Sequence, residues 1–305
     1  MTLSIGLDIG GTNIKSVVVD AAGNALHQGT RSTGQHYQAE DEWVWKQAVR
    51  DNFLELKKQF GGDVKAVGIS APGLSNADNT AIACMPGRLF GLEHFDWSAY
   101  FGERAWVLND GHAATVAEVR FGAAKDIKNA VLLTLGTGVG GGVVIGGELY
   151  QGHYQLAGHV GHTTVNANDV HWDATGMPGS IEEHIGNESV VRRSHGRFQN
   201  TYELVAAYQR GDHFGTWLWL DSVQKLAVNL CSIANLLSPE VIVLGGGITK
   251  AGEALFQPLQ SFVDLYEWRP SGKQVRIVQA RFGEFAGAMG AAAFAMGGLH
   301  QSLQC

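Results

Sequence analysis

The chain is short of several features that would point to particular functions. Only 3 of its 305 residues are cysteine (Cys84, Cys231 and Cys305), and they lie far apart. An odd, scattered set with no CxxC pair indicates neither a disulfide framework nor a cysteine zinc site. Proline is scarce at 6 residues, which excludes a proline-rich linker composition. Basic residues are outnumbered, 22 Lys plus Arg against 29 Asp plus Glu, for a net charge of −7. Without a basic excess to neutralise a phosphate backbone, no nucleic-acid partner is expected. Long hydrophobic runs are missing too. The most apolar stretch, residues 285–299, is mostly Ala and Gly and is shorter than the ~20 residues of a membrane span. No membrane partner is expected. Met1-Thr2-Leu3-Ser4-Ile5 lacks the basic start of a signal peptide, so a cytoplasmic protein is expected. The pattern GxxxxGK[ST] does not occur, which excludes a P-loop.

What is present is apolar and rich in glycine. Hydrophobic residues make up 45% and charged residues 17%, a globular composition of two domains or one large one. Glycine contributes 41 residues, about twice its usual ~7% share. That excess points to many places where backbone approaches something closely. Strand signals alternate with turns over residues 4–9, 14–20 and 25–31, and return at 64–70 and 105–108. Residues 40–60 have helical spacing, with Trp43, Ala48, Phe53 and Leu56 on one side, and 111–121 read as a helix. Residues 75–96 show no period and read as a long loop. A similar arrangement then begins again. Strands at 130–135 and 143–145 flank a glycine-rich turn at 136–142, and a His- and Gly-rich stretch follows at 151–186. Val223, Leu226, Leu230, Ile233 and Leu237 alternate three and four apart, which predicts a long helix over 213–237 ended by Pro239. Strands are expected at 241–244 and 275–280, and a closing helix of small residues at 285–296. The chain thus reads as two α/β halves, each with one strand–glycine turn–strand hairpin.

Four motifs carry the chemistry. In Asp8-Ile9-Gly10-Gly11-Thr12-Asn13 the glycines let backbone N–H groups line a concavity that binds phosphate oxygens. Asp8 at the strand end suits a hydrated Mg²⁺ held through an outer-shell hydrogen bond; the other reading is an ordinary hairpin turn. In Leu135-Gly136-Thr137-Gly138-Val139-Gly140-Gly141-Gly142 the glycines satisfy GxGxxG, but a strand follows instead of a helix. The dinucleotide reading is therefore rejected in favour of a second phosphate hairpin. Gly245-Gly246-Gly247 follows a buried-type strand and reads as a strand-to-helix turn or as a backbone platform for adenine or ribose. Asn109-Asp110 ends a strand, where α/β sheets place ligands. A carboxylate there can take the proton of an attacking hydroxyl, or Asp110 is the N-cap of a helix starting at Gly111. His159 and His162 stand near His153 and His171, and read as hydrogen-bonding histidines because a metal pair lacks further ligands. Glu182 and Glu183 suit the first turn of a helix.

Taken together, Asp8-Ile9-Gly10-Gly11-Thr12, Ser70-Ala71-Pro72-Gly73, Asn109-Asp110, Leu135 to Gly142, Gly161-His162, Leu244-Gly245-Gly246-Gly247-Ile248 and Gly287-Ala288-Met289-Gly290-Ala291-Ala292 resemble the ROK family of bacterial sugar kinases and sugar-responsive repressors. The resemblance implies an actin-like, hexokinase-like ATPase fold: two RNase-H-like α/β domains flanking a cleft, with the last helix returning to the first domain. Domains are expected at 1–110 plus 284–305 and at 111–283. It implies ATP with Mg²⁺ as cofactors and γ-phosphoryl transfer to a sugar hydroxyl. Asp110 matches the catalytic base. Nucleotide contacts are expected from Asp8, Gly10, Gly11, Thr12, Asn13, Gly136, Thr137, Gly138, Gly245, Gly246 and Gly247, with Mg²⁺ held through water by Asp8. Sugar contacts are expected from Gly73, Asn109, Asp110, His159, His162 and Glu182. The family's repressors carry a winged helix before the core, whereas here Asp8 starts the core almost at once. A homodimer is expected from the family's habit.

Two departures bear on the substrate. The family's Glu-x-Gly-His has His159 at its Glu position, and an imidazole can donate as well as accept. Specificity away from plain glucose is expected. The family's zinc motif, CxCGxxGCxE, has Asp173, Thr175 and Ser180 at its three cysteine positions, so no structural zinc is expected. Glu182, its last position, is retained. The reading is an ATP-dependent carbohydrate kinase, with a non-catalytic sugar sensor and a sugar-independent ATPase of the same fold as alternatives.

Overall fold

The β-branched runs at the start of the chain form β1 (Leu3–Ile9), β2 (Asn13–Asp20) and β3 (Ala25–Ser32). The computed structural model describes residues 2–34, 42–85, 89–173, 175–270 and 272–302. Cys305 and residues 40–41 of the expected first helix lie outside them. Helix α1 (Glu42–Phe60) leads to β4 (Val64–Ala71). Within the expected loop at 75–96 the chain forms a small hairpin, β5 (Leu74–Ser75) with β6 (Ile82–Cys84). Then come α2 (Trp97–Phe101), β7 (Ala105–Asn109) and α3 (Asp110–Phe121). The face of α1 differs from the expected one. Trp43 is 61% exposed, and Trp45, Val49, Phe53 and Leu56 pack into the core.

The second half begins with β8 (Ala130–Leu135), β9 (Val139–Ile145) and β10 (Glu148–Tyr150). Helices α4 (Ile181–Ile185), α5 (Val190–Arg193), α6 (Thr201–Gln209) and α7 (His213–Leu237) follow. The bounds of α7 are those that the hydrophobic period predicts. Its buried face, including Val223, Leu226, Leu230 and Ile233, joins a core built with β8, β11 (Val241–Gly245) and α8 (Glu253–Tyr266). Strand β12 (Arg276–Gln279) and helix α9 (Ala286–Ser302) complete the chain. No helix among the described residues is long and apolar enough to cross a membrane.

The duplication suggested by the two hairpins extends to the sheets. In the first, β2 is antiparallel to β1, and β4 and β7 follow in parallel. In the second, β9 is antiparallel to β8, and β11 and β12 follow in parallel. The same order with the same strand senses occurs twice.

The chain divides into two units, one of Met1–Asp126, Glu148–Ala157 and Arg281–Cys305, the other of Ile127–Gly147 and Gly158–Ala280. The division differs from the boundary expected at residue 110, because α3 stays with the first unit. Glu118, fully buried on α3, accepts hydrogen bonds from the Arg281 and Phe282 amides at 2.7 and 3.0 Å and anchors the return of the chain.

Helix α9 then packs backbone to backbone on its neighbours. A Cβ on Gly6 would lie 1.9 Å from the Ala288 carbonyl oxygen, one on Gly68 2.0 Å from that of Ala291, and one on Gly290 1.6 Å from that of Ala113. The small residues at 286–298 therefore serve close approach. Gly290→Ala is a sharp test. In an open helix the change stabilises by roughly 0.5–1 kcal/mol. Here α3 and α9 must separate, so a loss of about 1–3 kcal/mol is expected. Urea unfolding reads the sign, and an unchanged or higher midpoint would refute the close packing.

Candidate active site

In the first unit the candidate residues lie at the C-terminal ends of β1, β4 and β7. Strand register sets Asp8 opposite Lys15 on β2 and beside Ser70 on β4. Ser70 Oγ donates to Asp8 Oδ1 at 2.5 Å. Burial pushes the Asp8 carboxyl up to about 6; the Ser70 hydrogen bond opposes this, the charge of Asp110 adds to it, and Lys15 opposes it. Asp8 and Asp110 are thus close enough to repel each other. Gly287 makes room for the pair Asp8 and Ser70, because a Cβ there would lie 2.6 Å from Asp8 Cγ and 2.8 Å from Ser70 Oγ. The adjoining turn is closed by the Gly10 amide, which donates to the Asn13 carbonyl at 2.9 Å. Thr33 ties down two more carbonyls, with its Oγ1 donating to Gly11 at 2.9 Å and its amide to Thr12 at 3.0 Å. Thr12 and Asn13 are exposed.

Asn109 and Asp110 divide their tasks differently from the sequence reading. The helix starts at Asp110, and Asn109 is its N-cap. Asn109 Oδ1 accepts from the Gly111 and His112 amides at 2.9 and 3.2 Å, while Nδ2 donates to the Gly73 carbonyl at 2.8 Å. Asp110 is not the cap. It is exposed, and its Oδ1 accepts from the Gly111 amide at 2.8 Å. Gly73 is demanded by the fold: its φ is +97°, and a Cβ would lie 2.5 Å from the Cys84 carbonyl oxygen.

The second unit carries candidate residues of its own. Its turn is shorter than expected, spanning residues 136–138, since β9 already begins at Val139. The Gly136 amide donates to the Gly138 carbonyl at 2.9 Å. Glycines 141 and 142 sit within the strand because another segment crosses there. A Cβ on Gly141 would lie 2.8 Å from the Gly158 carbonyl oxygen, and one on Gly161 would lie 2.0 Å from that of Val139. This crossing carries His159 and His162, whose rings stack nearly parallel with centroids 6.5 Å apart. Glu182 near the start of α4 accepts from the Val139 amide at 2.8 Å. A Cβ at 138 would lie 2.1 Å from Glu182 Oε2, so a side chain there would displace the carboxylate from this position. Burial raises the Glu182 carboxyl above its usual value, against the Val139 amide and His162.

Gly246 meets the same end of the sheet. Its φ is +88°, and a Cβ would lie 2.3 Å from the Leu135 carbonyl oxygen. Gly247 opens a 3-10 turn, Gly247–Ala251, instead of leading directly into a helix. A Cβ on Gly247 would meet nothing within 4 Å, and the same holds for Gly136. Two glycine turns with open backbone therefore stand side by side at the ends of β8 and β11.

The profile of the ROK family matches residues 4–297. The chain belongs to the ROK family. It is 30% identical to the glucokinase of Streptomyces coelicolor, over 96% of this chain and 97% of that protein. Among solved structures it is similar to the ROK hexokinase of Thermus thermophilus, with a TM-score of 0.82 and 26% identity, over 98% of this chain and 100% of the other. It is likewise similar to a ROK family glucokinase from Streptomyces griseus in complex with glucose and AMPPNP, with a TM-score of 0.77 and 26% identity, over 97% and 99% of the two chains. The duplicated sheets are thus the hexokinase-like, actin-like ATPase fold of ROK proteins.

The ROK zinc motif is where this chain departs most. His162, Asp173 and Glu182 bring one nitrogen and two carboxylates within 4.8 Å of one another. Tetrahedral zinc in such a motif wants thiolates, and none is present. Asp173 is already engaged, its Oδ1 accepting from the Thr175 amide at 2.8 Å, the Thr175 hydroxyl at 2.7 Å and the Met177 amide at 3.0 Å. These residues do not form the thiolate site of the family motif. Burial pushes the Asp173 carboxyl up, but bonds from Met177, His162 and Thr175 outweigh it and hold the group at about 2.

Three contributors had no role in the sequence reading. Ser70 stood in a quoted motif, but its bond to Asp8 depends on parallel register between strands 62 residues apart. Gly287 looked like one more small residue of the closing helix. Asp173 appeared only as a lost cysteine.

Proposed function

We propose that this ROK protein is an ATP-dependent sugar kinase that transfers the γ-phosphoryl group to a hydroxyl of a hexose or hexose derivative. The observation that carries the reading is Asp110. Its carboxylate is exposed at the end of β7 and lies close enough to Asp8 to raise the Asp8 pKa, while Asn109 does the capping. Asp110 acts as the general base that takes the proton from the sugar hydroxyl. Such transfer needs little covalent chemistry from the protein and much positioning. The turns at Gly10 to Asn13 and at Gly136 to Gly138 hold phosphates, and Gly245 to Gly247 support the adenosine. The oxygen donors at Asp8 fit a hydrated Mg²⁺. When bound, the ion offsets negative charge on the phosphates. His159, His162, Glu182, Asn109 and Gly73 bind the sugar, and His159 steers preference away from plain glucose. The setting is a cytoplasmic homodimer.

The test is ADP release with Mg-ATP across hexoses, N-acetylated amino sugars, sugar acids and cyclitols. Sugar-dependent release from at least one class is expected, and the best substrate identifies what His159 favours. Release that ignores every sugar would favour an ATPase, and no release would favour a sensor; either result overturns the proposal.

A further inference from the structure

We propose that Asp173 is a positioning residue that fixes the tautomer of His162, keeping the proton on Nδ1 and presenting Nε2 as a hydrogen-bond acceptor to the ligand. The inference rests on the kinase reading only for the ligand's identity as a sugar.

The geometry points one way from two directions. Asp173 Oδ2 lies 3.0 Å from His162 Nδ1. The Asp173 side chain is fully buried, whereas that of His162 is 34% exposed. An ionised carboxylate has no proton to give, so Nδ1 must be the donor. Thr175 gives the second argument. Its hydroxyl donates to Asp173 Oδ1 at 2.7 Å. With its one proton spent there, Thr175 Oγ1, 3.3 Å from His162 Nδ1, can only accept. Both neighbours of Nδ1 therefore require Nδ1–H. In a neutral imidazole, Nε2 is then an acceptor.

Asp173 is in turn locked by its own loop. Besides the bonds to Oδ1 from Thr175 and Met177, its amide donates to the Met177 carbonyl at 2.9 Å, and the Gly176 amide donates to the Asp173 carbonyl at 3.0 Å. One carboxylate thus closes the loop with Oδ1 and orients the imidazole with Oδ2. His162 then faces a sugar hydroxyl as an acceptor. The chain reads its ligand with an imidazole whose polarity a carboxylate sets.

The experiment uses the full-length protein labelled with ¹⁵N-histidine, with long-range ¹H–¹⁵N correlations recorded at pH 8. His162→Gln assigns the signal. Wild-type His162 is expected as the Nδ1–H tautomer. In Asp173→Asn the side-chain oxygen must still serve the loop donors, so the amide NH₂ faces Nδ1 and the tautomer inverts to Nε2–H. The sugar KM should then rise about tenfold, the loss of one hydrogen bond, with kcat and the ATP KM within twofold of wild type. A wild-type proton on Nε2 overturns the proposal. So does inversion without a change in sugar KM, a KM change without inversion, or stoichiometric metal whose removal shifts the His162 signal. Should Asp173→Asn not fold, the wild-type spectrum alone still decides. Should no sugar be phosphorylated, the kinase reading falls by that result, and the His162 tautomer still tests Asp173.

Discussion

Asparagine at position 110 is expected to lower kcat on the order of 10³-fold while ATP affinity stays within twofold. An amide cannot accept the hydroxyl proton, yet it keeps the shape of the side chain and the bond from the Gly111 amide. The helix remains capped, because Asn109 supplies that oxygen. What the fold loses is one negative charge near the N-terminus of α3, a cost of about 0.3–1 kcal/mol. Part of that cost is offset, since Asp110 also raises the pKa of Asp8. Loss of rate should therefore appear in folded protein with its nucleotide contacts in place. Steady-state kinetics with the best sugar, alongside calorimetric titration of the nucleotide, separates the two. A rate within tenfold of wild type would remove Asp110 from the role of base.

Features whose signal lies within one stretch of chain were legible in the sequence. Helix α7 carries a consistent apolar period from Val223 to Ile233, and its predicted bounds match His213–Leu237, although Leu237 itself is exposed. The hairpins of both sheets were legible because each pairs neighbouring strands across a short glycine turn. Features that depend on a distant partner were not. The run at residues 140–142 looked like turn, but two of its glycines answer to a chain segment that crosses β9. Gly246 has the backbone angle of a turn and also avoids Leu135, some hundred residues earlier. Helix α4 is five residues long and too short to show a period. The exchange of capping and exposure between Asn109 and Asp110 turns on one residue of helix start, which propensity does not resolve. Asp173 is the clearest case. Loss of thiolates was visible in the sequence, but the carboxylate's bond to His162, across 11 residues without a regular period, was not.

Asp8→Asn should stabilise the ligand-free protein while removing most of its activity. The Asp8 carboxyl is raised from 3.8 to about 6, chiefly by burial. A carboxyl whose folded pKa lies above its unfolded value costs stability when ionised. The cost is absent below about pH 3.8, grows between there and pH 6, and is complete above. Asparagine carries no such cost, and its oxygen can still accept from Ser70. At pH 8 the variant should be more stable by about 1–3 kcal/mol, the lower end allowing for solvent that still reaches the half-buried group. The gap should close as pH falls toward 4. Activity should move the other way. If the ionised carboxylate holds the hydrated Mg²⁺ of the nucleotide, kcat/KM for Mg-ATP at pH 8 should fall on the order of 10²-fold. Wild-type kcat/KM should decline below about pH 6, where Asp8 takes up its proton, and this acid limb should vanish in the variant. Thermal denaturation at pH 4 and pH 8, set beside the two pH–rate profiles, measures both effects. An acid limb that persists in Asp8→Asn would assign it to another group, and a variant less stable at pH 8 would show that the buried charge is matched more closely than its neighbours Ser70 and Lys15 suggest.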